Sequence, residues 1–175
     1  MCWNYPSWHE IAGMDTAIYM TPDLFPTEKD LSMAKVLIVD DEQVHVRLLD
    51  WAFRKAGFEN LCSVTDSTKA INEFGRFKPD LVLLDLYMPQ VDGFMVLGQI
   101  RRELAPNDFW PVLVLTGEDT SDTRSRAMSA GAHDFLTKPL NYSEVMLRAK
   151  NLLQTRLLYQ QTRRLKAQID QLTGK

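Results

Sequence analysis

The sequence predicts an α/β protein built around a parallel β-sheet. From residue 35 to about residue 155, short apolar runs typical of strands alternate with amphipathic stretches typical of helices. Such alternation indicates strands that are joined by crossover helices and therefore run parallel. The chain has 175 residues, which allows one domain of ordinary size plus extensions.

The predicted elements follow one another in a regular order. Strands are predicted at 35–39, 60–64, 80–84, 111–115 and 133–136, and helices near 43–56, 67–77, 93–104 and 121–130. Asp66 and Ser121 are residue types that begin helices, and Gly57 and Gly131 are of the type that ends them. In the first helix we expect one inward face, made of Val44, Leu48, Leu49, Ala52 and Phe53.

The last helix is predicted to be long. Asn141 and Glu144 have the spacing of reciprocal capping, and neither Gly nor Pro follows until Gly174. A helix of about 30 residues is ~45 Å long, so we expect 35–155 to form the domain and 156–175 to project. The projecting part has a coiled-coil spacing that favours a homodimer, although two heptads are fewer than a coiled coil normally has. The residues at this spacing are Leu158, Thr162, Leu165, Ile169 and Leu172.

Residues 1–34 are predicted to be a loosely ordered extension. They contain Pro6, Pro22 and Pro26 and show no sustained periodicity, yet they are more apolar than a typical disordered tail. Two interpretations stay open: this segment docks on the domain or on a partner, or Met33 is the true first residue.

Composition argues against several classes of protein. A hydrophobic content of 45% and a charged content of 25% are typical of a soluble globular protein. The apolar runs reach about five residues, whereas ~20 are needed to span a bilayer, so no membrane insertion is predicted. Cys2 and Cys62 suggest no disulfide framework, and no secretory signal is readable, which predicts a cytoplasmic location.

Charge is distributed unevenly along the chain. The net charge is −3, but residues 141–175 carry seven basic residues and two acidic ones. We interpret this basic end as a solvated helix face; contact with nucleic acid or an acidic partner is the less favoured alternative. No helix-turn-helix pattern is present, so direct binding of nucleic acid is not predicted. His9, His45 and His133 lack metal-ligand spacing and are predicted to lie on the surface or in loops.

Five polar residues follow the predicted strands. Asp40 and Asp41 follow the first strand, Asp85 the third, Thr116 the fourth and Lys138 the last. Parallel sheets bind ligands beyond the carboxyl ends of their strands, so we expect these side chains to converge on one edge.

Three carboxylates in one pocket repel one another unless a cation neutralises them. A hard divalent ion with oxygen ligands resolves this repulsion, and Mg²⁺ fits. Asp40 and Asp41 could instead cap the helix that follows, but capping does not explain Asp85 beside Lys138. A carboxylate such as Asp85 can attack phosphorus, while Lys138 and Thr116 offer a charge and a hydroxyl to the moving oxygens.

These residues belong to five motifs that closely resemble the receiver domain of two-component response regulators. The resemblance covers about residues 35–155, and it rests on five strings in the right order and spacing. They are VLIVDDE at 36–42, DLVLLDLYMP at 80–89, DG at 92–93, LTG at 115–117 and GAHDFLTKP at 131–139.

The resemblance implies a flavodoxin-like, doubly wound sheet of five strands in the order 2-1-3-4-5. It implies that Asp85 accepts a phosphoryl group from a histidine kinase or a phosphotransfer protein. It also implies that Asp41, Asp85 and the backbone carbonyl of Tyr87 hold Mg²⁺, with Asp40 contributing through water.

The resemblance implies roles for five side chains. Thr116 and Lys138 would contact the phosphoryl oxygens, and Phe135 would change rotamer together with Thr116. Tyr87 and Glu118 would flank the path of an attacking water and so tune dephosphorylation.

Two functions are compatible with this resemblance. The favoured one is a phosphorylation-driven switch that is not itself an enzyme and that acts through its last helix. The alternative is the N-terminal regulatory part of a longer signalling enzyme such as a diguanylate cyclase, because residues 170–175 resemble the Asp-x-Leu-Thr-Gly entry to such domains.

Overall fold

Five parallel strands form the single sheet of the computed structural model, which describes residues 25–104 and 108–173. The strand order is β2-β1-β3-β4-β5, and each neighbouring pair is parallel, which confirms the predicted order. The strands are β1 Lys35–Val39, β2 Asn60–Val64, β3 Leu81–Leu84, β4 Val112–Thr116 and β5 Asp134–Thr137. The helices are α1 Glu28–Met33, α2 Gln43–Lys55, α3 Ala70–Phe77 (after a 3₁₀ turn at Ser67–Lys69), α4 Gly93–Glu103, α5 Ser121–Ala130 and α6 Tyr142–Thr173.

Helices cover both faces of the sheet, as a doubly wound fold requires. Because side chains alternate along each strand, neighbouring residues enter different cores. Leu37 and Val82, for example, pack with α3, α4 and α5, whereas Ile38 and Leu83 pack with α1, α2 and α6. Apart from Lys35 at the start of β1, the central strands β1, β3 and β4 are therefore apolar until they reach the polar residues at their ends.

The inward face of α2 differs from the predicted one. Leu49 and Phe53 are fully buried as expected, but the third buried residue is Val46. Val44 and Leu48 are exposed. The residues at 46, 49 and 53 lie on one side of a 3.6-residue helix, and this side is rotated away from 44 and 48. The prediction failed because α2 carries apolar residues on two overlapping faces.

Part of the predicted loose extension is an ordered helix. Thr27 and Asp30 form a capping box at the start of α1, and Leu31 is buried against α2 and α6. Glu28 also pairs with Lys150 of α6. The prediction is therefore wrong for 27–33. Residues 1–24 lie outside the described residues, and an alternative start at Met33 stays a prediction.

Helix α6 has 32 residues, close to the predicted length. Asn141 caps it by accepting hydrogen bonds from the backbone N–H groups of Ser143 and Glu144, at 3.0 and 3.3 Å. The predicted reciprocal bond from Glu144 is replaced, because its carboxylate accepts from Arg148 Nε at 3.0 Å and Nη2 at 2.8 Å.

The middle of α6 is tied to the amino ends of β3 and β4. Arg156 is 5% exposed; its Nη1 donates to the carbonyl of Phe109, and its guanidinium lies 3.9 Å from the centre of the Trp110 ring. Its Nε is 3.8 Å from Asp80 Oδ1. We call the following set the amino-edge clamp: Asp80, Asp108, Arg156, Gln160 and Arg163.

The clamp shortens the projecting part of α6 relative to the prediction. Contacts with the domain continue to Arg163, which pairs with Asp108. Beyond Arg163 the large apolar side chains are exposed, namely Leu165, Ile169 and Leu172. Within the described residues, no helix combines the length and the apolar character that crossing a bilayer would need.

Candidate functional site

The polar residues that follow the strands meet at the carboxyl edge of the sheet, as predicted. Asp40 follows β1, Asp85 follows β3, and Thr116 ends β4. Backbone hydrogen bonds continue the sheet to this edge, since the N–H of Asp85 donates to Val39 O at 2.9 Å. Asp40 is 1% exposed, Asp85 is 5% exposed and Thr116 is fully buried. Three polar side chains are therefore held in a largely desolvated pocket.

Lys138 provides the positive charge in this pocket. Its backbone N–H donates to Thr116 O at 2.7 Å, which fixes the residue beside β4. Its Nζ lies 2.8 Å from Asp40 Oδ2 and 2.5 Å from Asp85 Oδ2, and its side chain is 13% exposed. One ammonium group therefore joins the carboxylates of two different strands.

Asp40, Asp41 and Asp85 fit the requirements of a divalent cation. Each offers one carboxylate oxygen, and these oxygens lie within 4.8 Å of one another. Opposite ligands of Mg²⁺ are about 4.2 Å apart, since each bond is ~2.1 Å. Asp40 already accepts from Glu42 N at 2.9 Å and from Lys138, which is compatible with action through a water molecule. The role of the Tyr87 carbonyl stays a prediction.

The Asp92–Gly93 pair lets α4 begin against the end of β3. Asp92 Oδ1 accepts from Met95 N at 2.8 Å and so caps the helix. A Cβ at Gly93 would lie 2.3 Å from Asp85 O and 2.7 Å from Leu86 Cα, a separation that no side chain tolerates. Glycine is therefore required here so that the backbone carrying Asp85 can pack closely.

The two predicted tuning residues contact each other above the pocket. The hydroxyl of Tyr87 donates to the carboxylate of Glu118, and it lies 3.4 Å from Thr123 Oγ1. The backbone N–H of Tyr87 donates to Asp85 Oδ1 at 3.2 Å. The loops after β3 and β4 are therefore bridged by an exposed side-chain contact.

Phe135, the predicted switch aromatic, is buried in the core on the α5 side of the sheet. The guanidinium of Arg124 lies 5.0 Å from the centre of its ring. Thr116 Oγ1 accepts from Glu118 N at 3.4 Å. Coupled motion of Thr116 and Phe135 stays a prediction.

Comparison with known families identifies this constellation. The family described as "Response regulator receiver domain" matches residues 36–150, about two thirds of the chain. This chain belongs to the response regulator receiver family. The matched region comprises the sheet, its carboxyl-edge pocket and the first nine residues of α6.

Known receiver proteins resemble the chain over the same region. TcrX of Mycobacterium tuberculosis, a transcriptional regulatory protein, is 39% identical over 118 residues, which are 67% of this chain and 49% of TcrX. The response regulator PleD of Caulobacter vibrioides is 32% identical over 134 residues, which are 77% of this chain and 29% of PleD. The solved chemotaxis protein CheY4 of Vibrio cholerae has a TM-score of 0.63 and 26% identity, with 69% of this chain and 98% of CheY4 covered. This chain therefore spans half or less of the two regulators.

The receiver pocket perturbs the pKa of both its central charges. Burial raises the pKa of the Asp85 carboxyl, and the nearby Lys138 offsets only part of that rise. Burial disfavours the charged form of Lys138, but the hydrogen bonds to Asp40 and Asp85 outweigh it and raise the pKa of Lys138. The receiver pocket therefore holds a carboxylate that would gain from an additional cation.

One residue of the receiver pocket was missed at the level of sequence. His45, predicted to lie on the surface or in a loop, has its Nδ1 3.0 Å from Lys138 Nζ. The same atom lies 3.3 Å from Asp40 Oδ2. The available signal was its place in the first turn of α2, directly after the acidic pair, because that turn packs over the ends of the strands.

Proposed function

We propose that this receiver domain is a switch that accepts a phosphoryl group on Asp85 and is not itself an enzyme. The observation that supports this most is the approach of Lys138 Nζ to Asp85 Oδ2 at 2.5 Å, beside two further carboxylates. Such a pocket has the nucleophile, the positive charge and the cation ligands that phosphoryl transfer requires.

The proposed physiological donor is a phosphorylated histidine, supplied by a histidine kinase or a phosphotransfer protein; a small acyl phosphate can replace it in experiments. One oxygen of Asp85 forms a bond to phosphorus while the bond from phosphorus to the imidazole nitrogen breaks, and the released imidazole takes up a proton. Lys138 and the hydroxyl of Thr116 contact the transferred oxygens. Bound Mg²⁺ would neutralise charge between Asp41, Asp85 and the phosphoryl group.

The proposed output runs through the last helix. Movement of Thr116 towards the phosphoryl group would free space for Phe135, and both residues belong to strands that precede α6. The exposed stripe of Leu165, Ile169 and Leu172 is suited to a second copy of the helix, so the proposed partner at this end is another copy of the chain. Phosphorylation would change that association.

Uptake of a phosphoryl group can be measured directly. The full chain is incubated with Mg²⁺ and acetyl phosphate, and its mass and oligomeric state are determined. We expect the wild type to gain one phosphoryl group, because Asp85 is the proposed acceptor. We also expect its oligomeric state to change, because the proposed output runs through α6. Asp85→Asn, which keeps the shape of the side chain, should gain none.

Two results would count against the proposal. Equal labelling of Asp85→Asn would remove Asp85 as the acceptor. Labelling that persists when Mg²⁺ is chelated would remove the cation from the reaction. A variant with Leu165 and Ile169 changed to Ser is the control for association, since it should be labelled normally without changing its oligomeric state.

The alternative function stays a prediction. A regulatory part of a longer signalling enzyme was inferred from residues 170–175, of which 174–175 lie outside the described residues. A cytoplasmic location is likewise part of the proposal, since a kinase-dependent switch must meet its donor there.

A further inference from the structure

His45 lies in the first turn of α2 and contacts the charged pocket. Its Nδ1 lies 3.0 Å from Lys138 Nζ, and its Nε2 lies 3.7 Å from Glu42 Oε2. The side chain is 25% exposed, so three quarters of it is covered. The ring is therefore placed between Lys138 and the beginning of α2.

The hydrogen-bonding capacity of Lys138 defines what His45 does. An ammonium group has three N–H donors and no acceptor. Two donors are used by Asp40 Oδ2 at 2.8 Å and Asp85 Oδ2 at 2.5 Å. Among the described contacts, Nδ1 of His45 is the remaining atom at hydrogen-bond distance. A buried donor without an acceptor is costly, so the third N–H is expected to use this nitrogen.

Donation by Lys138 requires one form of the imidazole, since the same Nδ1 lies 3.3 Å from Asp40 Oδ2 and would donate to that carboxylate if it carried the proton. Nδ1 can accept a hydrogen bond only in the neutral ring whose proton is on Nε2. The proton on Nε2 then faces the carboxylate of Glu42. His45 is thus held by Lys138 at Nδ1, while the exposed carboxylate of Glu42 lies beyond hydrogen-bond distance of Nε2, at 3.7 Å.

We propose that His45 is a positioning residue that holds the ammonium of Lys138 in place during phosphoryl transfer. When the bond from Lys138 to Asp85 is exchanged for one to a phosphoryl oxygen, the bonds to Asp40 and His45 stay and keep Nζ over the pocket. Without His45, water takes the third donor and the ammonium gains freedom to leave. This inference rests on the proposed role of Asp85.

The tautomer of His45 tests the inference without any phosphoryl transfer. The full chain, labelled with ¹⁵N at histidine, is studied by NMR at pH 8 without Mg²⁺. We expect Nε2 to carry the proton and Nδ1 to show the shift of a hydrogen-bond acceptor. A proton on Nδ1 overturns the inference, since that nitrogen would then donate to Asp40 and not accept from Lys138.

Kinetics test the consequence for the reaction. The rate of labelling by acetyl phosphate is measured against donor concentration for His45→Ala, His45→Asn and His45→Gln. Loss of one hydrogen bond to a charged group should lower the limiting rate about tenfold in the Ala variant. The donor concentration that gives half of the limiting rate should change little. Asn places an oxygen near the position of Nδ1 and should restore most of the rate, whereas Gln, whose polar group reaches the position of Nε2, should not.

Gln43→Ala is the matched control, because Gln43 is an exposed residue in the same first turn of α2. An equal loss in this variant, or an unchanged rate in His45→Ala, overturns the inference. Failure of the proposed function has a different signature: the wild type takes up no phosphoryl group, or Asp85→Asn takes up as much. The NMR result then still decides how His45 is bonded.

Discussion

Each of the two edges of the sheet carries a cluster of charged side chains, and the clusters differ in the balance of positive and negative charge. At the carboxyl edge three carboxylates meet one ammonium group, whereas in the amino-edge clamp two carboxylates meet two guanidinium groups. The first cluster consists of Asp40, Asp41, Asp85 and Lys138, and the charged members of the second are Asp80, Asp108, Arg156 and Arg163.

This difference separates a reactive site from a structural one. In the clamp each carboxylate has its own cation, so the cluster holds α6 and offers nothing to an additional ion. At the carboxyl edge the excess negative charge is costly after burial, and a bound cation would remove that cost. Burial of charged groups is common to both edges, and only the imbalance indicates chemistry.

Breaking the balanced cluster should have the largest effect on stability. Arg156→Ala removes a buried cation that contacts Trp110 and leaves Asp80 without its charge partner. We expect a loss of about 3 kcal/mol in the free energy of unfolding, measured by urea denaturation. Uptake of phosphoryl groups at low temperature should be unchanged, since the clamp lies at the opposite edge.

Arg163→Ala is the matched control for this prediction. Arg163 also pairs with an acid of the clamp, but its side chain is largely exposed. Exposed pairs contribute less than ~1 kcal/mol, so a loss equal to that of Arg156→Ala would contradict the argument from burial.

Reducing the imbalance should stabilise the protein. Because burial raises the pKa of Asp85, the ionised carboxylate costs stability, and Asp85→Asn should add on the order of 1 kcal/mol without metal, about 2–4 °C in Tm. A raised carboxyl pKa means that the folded state binds the proton more tightly. The destabilisation by the Asp85 carboxyl is therefore absent below its ordinary pKa and complete above its raised pKa in the folded state.

This prediction is checked by measuring Tm as a function of pH and of Mg²⁺ concentration. The difference in Tm between Asp85→Asn and the wild type should vanish as the pH falls below about 4, where the unfolded carboxyl also takes up a proton. Saturating Mg²⁺ should reduce the difference at neutral pH, because the ion supplies the missing positive charge. A variant that is less stable than the wild type at pH 7 without metal would refute the idea of a charge imbalance.

The smallest effect is expected above the pocket. Tyr87→Phe removes an exposed hydrogen bond to Glu118, so the free energy of unfolding should change by less than ~0.5 kcal/mol. The bridge between the two loops would be lost, and water would reach the phosphoryl group more easily. We expect the lifetime of the phosphoryl group on Asp85 to shorten roughly threefold, which corresponds to the free energy of about one exposed hydrogen bond. An unchanged lifetime would show that the bridge has no part in excluding water.

The sequence alone predicted the sheet and the pocket because both depend on short local patterns. An apolar run that ends in Asp40, Asp85 or Thr116 specifies a buried strand and its polar end at once. Parallel connection then brings those ends together without further information. For the same reason the boundaries of the strands agree with the structure within one residue.

The features that the sequence did not predict depend on packing between distant segments. Arg156 is buried because α6 passes the amino edge of the sheet beside Asp80 and Phe109. No sequence pattern near Arg156 predicts this packing. His45 likewise differs from a surface histidine only because Lys138, far away in the chain, reaches it. Local periodicity also could not choose between the two apolar faces of α2.

Helix α6 begins at Tyr142, just after Lys138, and it is one continuous rod of 32 residues that passes both edges of the sheet. An α-helix turns about 100° per residue. The direction in which the exposed side chains at its end face is therefore fixed relative to the pocket, as is their distance from it. Removing Arg164 would rotate all residues beyond it by ~100° about the helix axis, whereas inserting seven residues at this point would leave their direction within ~20° of the original one. Any partner that contacts Leu165 and Leu172 therefore depends on the direction in which these side chains face. The number of residues between the pocket and Leu165 matters as much as which residues they are.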